Sequence, residues 1–368
     1  MSIKVLFLTP GLGKGGAEKQ LFLLANHLNH KGYTVKIVSL IDRNMYDQEL
    51  KQTNIPYKTL NFEQKSLISR FLAYKNLIID FKPDIIISFM FAANFLSRLT
   101  KFFHKCIVIS SIRNEIFGGK LSEKVLKYTN RLDAATVVNS DTVLNKLLAA
   151  GILDKRNAMS IPNVVNLPTY NFSEKIEARS EVRKRFNISS DQFVFLFVAH
   201  YRPQKDYDNL FKAISLMKEN VKILMAGNLF ESSWPYERVK ELNIENKVIL
   251  LGKTEELREL YLSADALVMS SKWEGLPNAI LEAMSFELPV ISTNVGGVKD
   301  LISDGHNGIL CDSKNSLKLA DSMKAVVNMP PERLKAMGAA SRSHVASTFS
   351  YEVIMKKWDT LISSSLSK

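Results

Sequence analysis

The sequence predicts an α/β protein of two doubly wound, Rossmann-like domains with mostly parallel sheets. Three observations carry this. Short apolar runs alternate with helical patterns along most of the 368 residues, the mark of βαβ units. A Gly-rich turn, Gly11 to Gly16, stands between the first strand and the first helix. The strand series stops between Pro162 and Gln192 and then resumes, and this length suits two α/β domains better than one core.

The first unit reads as a strand at Lys4–Thr9, the Gly-rich turn, a helix over Ala17–Lys31 and a strand at Thr34–Ile41. Further strands are expected at Ile85–Phe89, Cys106–Ile112 and Ala135–Asn139. A second series follows at Val194–Ala199, Lys222–Ala226, Val248–Leu251, Ala266–Ser270 and Val290–Thr293. Helices fit between them over Asp208–Lys218, Glu255–Ser263 and Asn278–Ser285. The stretch between the two series has prolines and a charged segment, Glu174–Arg185, but no strand signal. The expected organisation is a first domain over 1–165, a linker over 166–190, a second domain over 191–348 and a final helix over 349–368 crossing back to the first domain. The Ser-rich tail Ser363–Ser367 is expected to fray.

Composition narrows the function. Cys106 and Cys311 lie far apart without metal-type spacing, which speaks against a disulfide scaffold or a zinc site. The chain opens on an apolar strand without the features of a signal peptide, and no run approaches the length of a membrane span. A cytoplasmic protein is expected, with peripheral contact to the membrane allowed. The net charge of +12 is unevenly placed: residues 1–185 hold 28 Lys+Arg against 15 Asp+Glu, and residues 186–368 hold 21 against 22. Such a field attracts nucleic acid, an anionic bilayer or phosphorylated substrates. No helix-turn-helix, RNA-recognition or zinc pattern is present, so nucleic acid is not expected as a partner.

The clearest motif runs from Ser271 to Met284, directly after the strand Ala266–Ser270. Pro277 suits the first turn of a helix, where its missing N–H costs nothing. The helix then starts with free N–H groups at the carboxyl edge of the strand, a ready anion site. Gly275 lets a ligand approach the backbone. Glu274 and Glu282 offer carboxylates to hydroxyls of one sugar-containing ligand; the plainer reading is a surface helix with two solvated acids.

With seven residues between them in this loop-to-helix setting, Glu274 and Glu282 resemble the E-x7-E motif of glycosyltransferase family 4. The resemblance continues through Phe286 to Thr293, Gly296-Gly297 and Ser303 to Gly308, and rests in the first half on the Gly-rich turn and Ile161-Pro162-Asn163. It implies the GT-B fold, two Rossmann-like domains facing across a cleft, and a retaining transfer from a nucleotide diphosphate sugar, UDP-linked by family frequency. It also implies that Glu282 holds the ribose, that Glu274 with the backbone of Gly275, Leu276, Pro277 and Asn278 holds the transferred sugar, and that Lys253 and Thr254 flank the base.

A second motif, Arg202-Pro203-Gln204-Lys205, follows the strand Val194–Ala199. Two cations at a strand's carboxyl end suit a diphosphate, Arg as a fork and Lys as a point charge. Arg202 and Lys205 match the family's diphosphate-holding pair and would stabilise the leaving diphosphate without a metal. The neighbouring Asp206-Tyr207-Asp208 spells Asp-x-Asp, but it opens a helix where Asp is a good N-cap. It reads as structural, so neither a metal nor another cofactor is expected.

The Gly-rich turn supplies the competing class. It fits G-x-G-x-x-G, and Asp42 ends the next strand, so an NAD(P)-dependent oxidoreductase is the rival. Tyr201 and Lys205 even have the Tyr-x-x-x-Lys spacing of short-chain reductases, although Pro203 between them opposes the required helix. In the resembled family, Gly15 and Gly16 approach the donor phosphates instead. A non-catalytic polyanion-binding protein is the third possibility.

The acceptor is sought in the basic half. The window Phe62 to Arg131 holds 12 Lys+Arg, 5 Asp+Glu and 11 Phe+Tyr. Within it Phe95, Leu96, Leu99, Phe102 and Phe103 would share one helical face, with Arg98, Lys101 and Lys105 on another, as on a helix lying on an anionic membrane. The alternative is a helix packed on the first sheet with its charges in water. The expected acceptor is a lipid-linked saccharide of cell-surface polysaccharide or O-antigen assembly. The sequence has Ser110-Ser111-Ile112-Arg113-Asn114 where the family usually carries a His, and Val164 where Pro-Asn is often followed by Gly. Arg113 and Asn114 are the acceptor-side candidates.

Overall fold

The structure, a computed structural model, describes residues 2–13, 15–115, 119–229 and 232–367. It forms two compact units: unit 1 is Met1–Val164 with Glu352–Lys368, and unit 2 is Val165–Tyr351.

Unit 1 is built on a seven-stranded sheet of β1 (Lys4–Thr9), β2 (Thr34–Ser39), β3 (Tyr57–Thr59), β4 (Ile85–Phe89), β5 (Ile107–Ile112), β6 (Ala135–Val138) and β7 (Ala158–Ser160). The order is β3-β2-β1-β4-β5-β6-β7, and every pair is parallel. Unit 2 carries β8 (Phe193–Val198), β9 (Val221–Ala226), β10 (Val248–Gly252), β11 (Ala266–Met269), β12 (Val290–Thr293) and β13 (Gly308–Cys311). They run β10-β9-β8-β11-β12-β13, again all parallel. Both orders reverse direction beside the first strand of the unit, as in doubly wound folds that bind ligands at the carboxyl edge.

Local chemistry explains the pattern. Parallel strands covered on both faces read as continuous apolar runs, and Val5 to Leu8, Ile85 to Ile87 and Phe195 to Phe197 are all fully buried. The three strands that the sequence pattern does not show, β3, β7 and β13, are each at an edge and only three or four residues long. An edge strand has one partner and a half-open face, so it does not need an apolar run.

The stretch 166–190, read from sequence as a linker, holds the helix Phe172–Arg185 within unit 2. A capping box starts it: the Glu174 amide donates to Asn171 Oδ1 at 2.8 Å, and the Asn171 amide donates to Glu174 Oε2 at 2.9 Å. Arg179 then pairs with Asp265 at 2.7 Å. Only Ala178, Val182 and Arg183 are buried on this helix, so its apolar stripe is too thin to show in the sequence.

The final helix, Tyr351–Leu366, falls almost wholly in unit 1. Its Asp359 accepts from Lys31 Nζ at 2.7 Å and lies 3.0 Å from His27 Nε2. Of the tail expected to fray, Ser363–Ser367, all but Ser367 lies within this helix, with the hydroxyls of Ser364 and Ser365 donating to the Leu361 carbonyl.

The helix expected through Phe95 to Lys105 ends earlier. An α-helix spans Phe91–Leu99, followed by a 3-10 turn over Thr100–Phe102. Arg98 is fully buried and holds Asp133 from Nε at 3.0 Å and Nη2 at 2.7 Å, so it is a core ion pair and not part of a solvated basic face. Asp133 also accepts from Ser110 and Thr136, which supplies the hydrogen bonds a buried pair needs.

Candidate active site

At the carboxyl edge of the second sheet, two loops are tied into one structure. Arg202 to Lys205 follow β8, and Ser271 to Pro277 follow β11, the neighbouring strand. The Lys272 amide donates to the Gln204 carbonyl at 2.7 Å, and the Ser270 hydroxyl donates to the Lys205 carbonyl at 2.8 Å. Two of the three residues expected to act in catalysis, Lys205 and Glu274, meet here: Lys205 Nζ lies 2.5 Å from Glu274 Oε1. Glu274 is buried, and its carboxylate also accepts from Ser271 Oγ at 2.6 Å and Gln204 Nε2 at 3.0 Å. Three donors from two loops therefore hold one carboxylate and with it the lysine ammonium. Arg202 lies at the exposed rim of the same loop.

Gln204 and Ser271 lie inside the two motifs, but the sequence alone assigns them no role. Their hydrogen bonds to Glu274 depend on the spatial approach of two loops some seventy residues apart, which no spacing reveals. Tyr261 is a fuller omission. It is buried on the helix Leu257–Ser263, and its hydroxyl donates to Glu282 Oε2 at 3.0 Å. Burial first, and the Glu282 charge second, hold the phenol pKa well above its ordinary value, so Tyr261 stays a donor that orients the carboxylate.

The helix after this loop spans Asn278–Ser285, as the spacing predicts. Pro277 takes the N-cap position with extended backbone and not the first helical turn. Leu276 is buried, and the Gly275 carbonyl accepts from the Gly297 amide at 2.8 Å, which braces the loop against the Gly296-Gly297 turn. Lys253 and Thr254 follow β10, and Lys253 lines a depression of about 480 Å³ with Asn228, Ser233 and Tyr236. Beside it, a side chain at Gly227 would come 1.8 Å from the Ala199 carbonyl, so only glycine allows the ends of β8 and β9 this approach. A larger hollow of about 840 Å³ in unit 2 is lined by Lys299, His306 and His344 and by none of the residues that hold Glu274.

Asp206-Tyr207-Asp208 opens the helix Tyr207–Ser215, with Asp206 at the N-cap position but its side chain making no capping hydrogen bond. Asp206 has a left-handed backbone and pairs with Lys272 at 3.0 Å. Asp208 pairs with Lys212 at 2.6 Å and with Arg238 at 2.8 Å. Tyr207 between them points inward to the Ala199 carbonyl. Among the described residues, no three His, Cys, Asp or Glu side chains are grouped as a metal site.

In unit 1, Gly15 precedes and Gly16 begins the first helix, Gly16–His30; Lys14 lies outside the described residues. The preceding turn is covered by the segment after β2. The Leu12 amide donates to the Arg43 carbonyl at 2.6 Å, the Met45 amide donates to the Leu12 carbonyl at 2.8 Å, and Leu12 is fully buried. Asp42 points to solvent from that segment. A dinucleotide turn needs its amides open to a pyrophosphate, so this arrangement speaks against the oxidoreductase reading.

Arg113 and Asn114 follow β5. Arg113 Nη1 donates to Asn163 Oδ1 at 2.8 Å, and burial pushes its pKa down to about 9. On the outside of unit 1, the helix Leu67–Phe81 exposes Leu67 (80%), Ile68 (75%), Phe71, Leu72 and Ile79. At 100° per residue these fill an arc of about 140°, with Lys75 inside it. No helix among the described residues is long and apolar enough to cross a membrane.

Two doubly wound units, the second carrying a cation–carboxylate cluster at a sheet's carboxyl edge, have the architecture of the GT-B class of glycosyltransferase. Comparison with known proteins agrees. The family model "Glycosyltransferase Family 4" matches residues 14–168, and "Glycosyl transferases group 1" matches residues 178–344. The chain belongs to this glycosyltransferase family. A Campylobacter jejuni GalNAc-alpha-(1->4)-GalNAc-alpha-(1->3)-diNAcBac-PP-undecaprenol alpha-1,4-N-acetyl-D-galactosaminyltransferase is 27% identical over 98% of both chains. A Bacillus anthracis N-acetyl-alpha-D-glucosaminyl L-malate synthase is 28% identical over 61% of this chain, which spans 64% of that relative. The crystal structure of Anabaena HepE with UDP and glucose superposes with a TM-score of 0.87 at 19% identity, over 98% of this chain and 100% of that one, and shares the fold.

Proposed function

We propose that this glycosyltransferase moves a hexose or N-acetylhexosamine, with retention, from a UDP-sugar to a lipid-linked saccharide in cell-surface polysaccharide or O-antigen assembly. The observation that carries the reading is the Glu274 cluster: a buried carboxylate fixes the Lys205 ammonium at the carboxyl edge of the second sheet. Lys205 and Arg202 hold the donor diphosphate and stabilise its charge as the bond from sugar C1 to phosphate oxygen breaks. The acceptor hydroxyl forms the new bond to C1 on the same face, and its proton passes to the leaving phosphate. Glu274, with the Gly275 to Asn278 backbone, holds the sugar; Glu282, oriented by Tyr261, holds the ribose; Lys253 and Thr254 flank the base. Gly15 and Gly16, at the start of the first helix, offer amides suited to a phosphate. The Asp206 and Asp208 carboxylates already answer to Lys272, Lys212 and Arg238, which supports a mechanism that does not use a metal.

The lipid-linked acceptor is supported by the full-length Campylobacter relative, whose name specifies an undecaprenyl diphosphate saccharide. The basic charge and outward apolar arc of Leu67–Phe81 support contact with an anionic membrane at the cytoplasmic face. This moves the membrane surface from the segment Phe95 to Lys105, whose Arg98 is buried, to the preceding helix.

The test is turnover of a panel of UDP- and GDP-sugars with undecaprenyl-diphosphate saccharides, with and without EDTA, and with the product anomer read by NMR. Transfer with a retained anomer in EDTA is expected. An inverted product, or activity restored only by a divalent cation, would overturn the mechanism, and binding of NAD but no nucleotide sugar would return the oxidoreductase.

A further inference from the structure

One arginine at the carboxyl edge of the first sheet is built in without a counter-ion among the described residues. Arg113 stands directly after β5, and its guanidinium carbon lies 4.5 Å from the ring centre of Phe89, the last residue of β4. Its Nη1 donates to Asn163 Oδ1 at 2.8 Å, beyond the end of β7. Asn139, just after β6, brings Nδ2 to 3.4 Å from the same oxygen. Residues from three neighbouring strand ends, Phe89 and Asn163 directly and Asn139 through Asn163, thus brace this side chain at the edge where doubly wound folds take ligands.

The nearby acids are committed elsewhere. Glu115 pairs with Lys146, and Asp133 with Arg98. Among the described residues no carboxylate reaches Arg113, and its Nε is enclosed with no hydrogen-bond partner. Nε and Nη2 form the edge of a guanidinium that grips two oxygens of a phosphate or carboxylate. Arg98 shows how this same sheet treats a structural arginine: both Nε and Nη2 are on a carboxylate. Arg113 is less deeply enclosed than Arg98, and no acceptor meets its Nε. Leaving a charge so placed is costly unless a ligand completes it.

We propose that Arg113, braced by Phe89 and Asn163, is an oxyanion-binding residue of unit 1 that takes two oxygens of a substrate diphosphate. The inference rests on the glycosyltransferase reading for the identity of that substrate. The diphosphate has two sources, the lipid end of the acceptor and the nucleotide of the donor, and Arg113 carries the specificity for whichever it meets.

The experiment is direct binding to the full-length protein, so it needs no turnover. Farnesyl diphosphate stands for the acceptor's lipid diphosphate and UDP for the donor's, each titrated calorimetrically against wild type, Arg113→Gln and Arg113→Lys. The expected result is a loss of about ten- to hundredfold in affinity for one probe in Arg113→Gln. Arg113→Lys should recover only part of it, because it keeps the charge and loses the fork. Loss for farnesyl diphosphate alone assigns the acceptor, and loss for UDP alone assigns the donor. Unchanged affinity for both probes in both folded variants, or a wild type that binds neither, overturns the proposal. Should Arg113→Gln not fold, Arg113→Lys decides by the same readout. A wild type that binds farnesyl diphosphate through Arg113 but transfers no sugar would leave this site standing and remove the glycosyltransfer reading.

Discussion

The two units share a topology and handle charge in opposite ways. Unit 2 holds 23 Lys+Arg and 23 Asp+Glu, whereas unit 1 holds 26 and 14, which places the whole net charge of +12 there. Around the site of unit 2, cations are matched to acids: Lys205 to Glu274, Lys272 to Asp206, and Arg238 to Asp208. Among the described residues, unit 1 spends a deeply buried pair, Arg98 with Asp133, on its core and brings no acid to Arg113. A balanced site is preorganised and exchanges one set of partners for another when an anionic donor arrives. An unbalanced one attracts anions from a distance and has vacant donors when they come.

The strongest way to break this contrast is to attack the core pair. Asp133→Ala should strand a buried guanidinium and cost about 3–5 kcal/mol in urea unfolding, whereas Arg113→Ala should leave stability nearly unchanged. Equal losses would make Arg113 a structural residue after all. Next comes Lys205→Ala, expected to lower kcat by roughly 10²- to 10³-fold while circular dichroism stays native. Near-normal turnover would take the ammonium out of the chemistry.

A smaller effect is expected from Leu67→Glu with Ile68→Glu on the exposed arc. Flotation with anionic vesicles should fall about tenfold or more at low salt, with the rate on a short soluble acceptor preserved. Retained flotation would show that some other surface meets the bilayer. Tyr261→Phe removes one hydrogen bond to Glu282 and should raise the donor KM by roughly 2- to 10-fold with little change in kcat. The mildest expectation concerns the thiols. Burial pushes Cys106 and Cys311 up to about 11, so at pH 7 to 8 the reactive thiolate is scarce and iodoacetamide should label only unfolded protein. Fast labelling of the native chain at pH 8 would contradict that burial.

Much of unit 2 could be read without coordinates. Its central strands, the helix Asn278–Ser285 and the residues Lys205 and Glu274 all lie in continuous motifs, where an apolar run or a fixed spacing carries the signal. Unit 1 was harder. Its basic window was visible, but which face met solvent was not, because Arg98 and Lys75 look alike until packing sends one inward. The edge strands β3, β7 and β13 and the helix Phe172–Arg185 were missed for a related reason. Each is held by neighbours distant in sequence and needs little apolar patterning of its own.

The sequence by itself therefore determined the βαβ alternation, the interruption between two sheets, the location of the charge excess and the spacing of Glu274 to Glu282. These follow from local backbone preference and the period of side-chain burial, which act over a few residues. Only the tertiary structure decided that Lys205 and Glu274 are bonded, that Gln204, Ser271 and Tyr261 support the two glutamates, and that Arg98 has an acid where Arg113 has none. Partner choice among charged side chains depends on which strand ends lie side by side, and strand order in a parallel sheet is not written in local spacing.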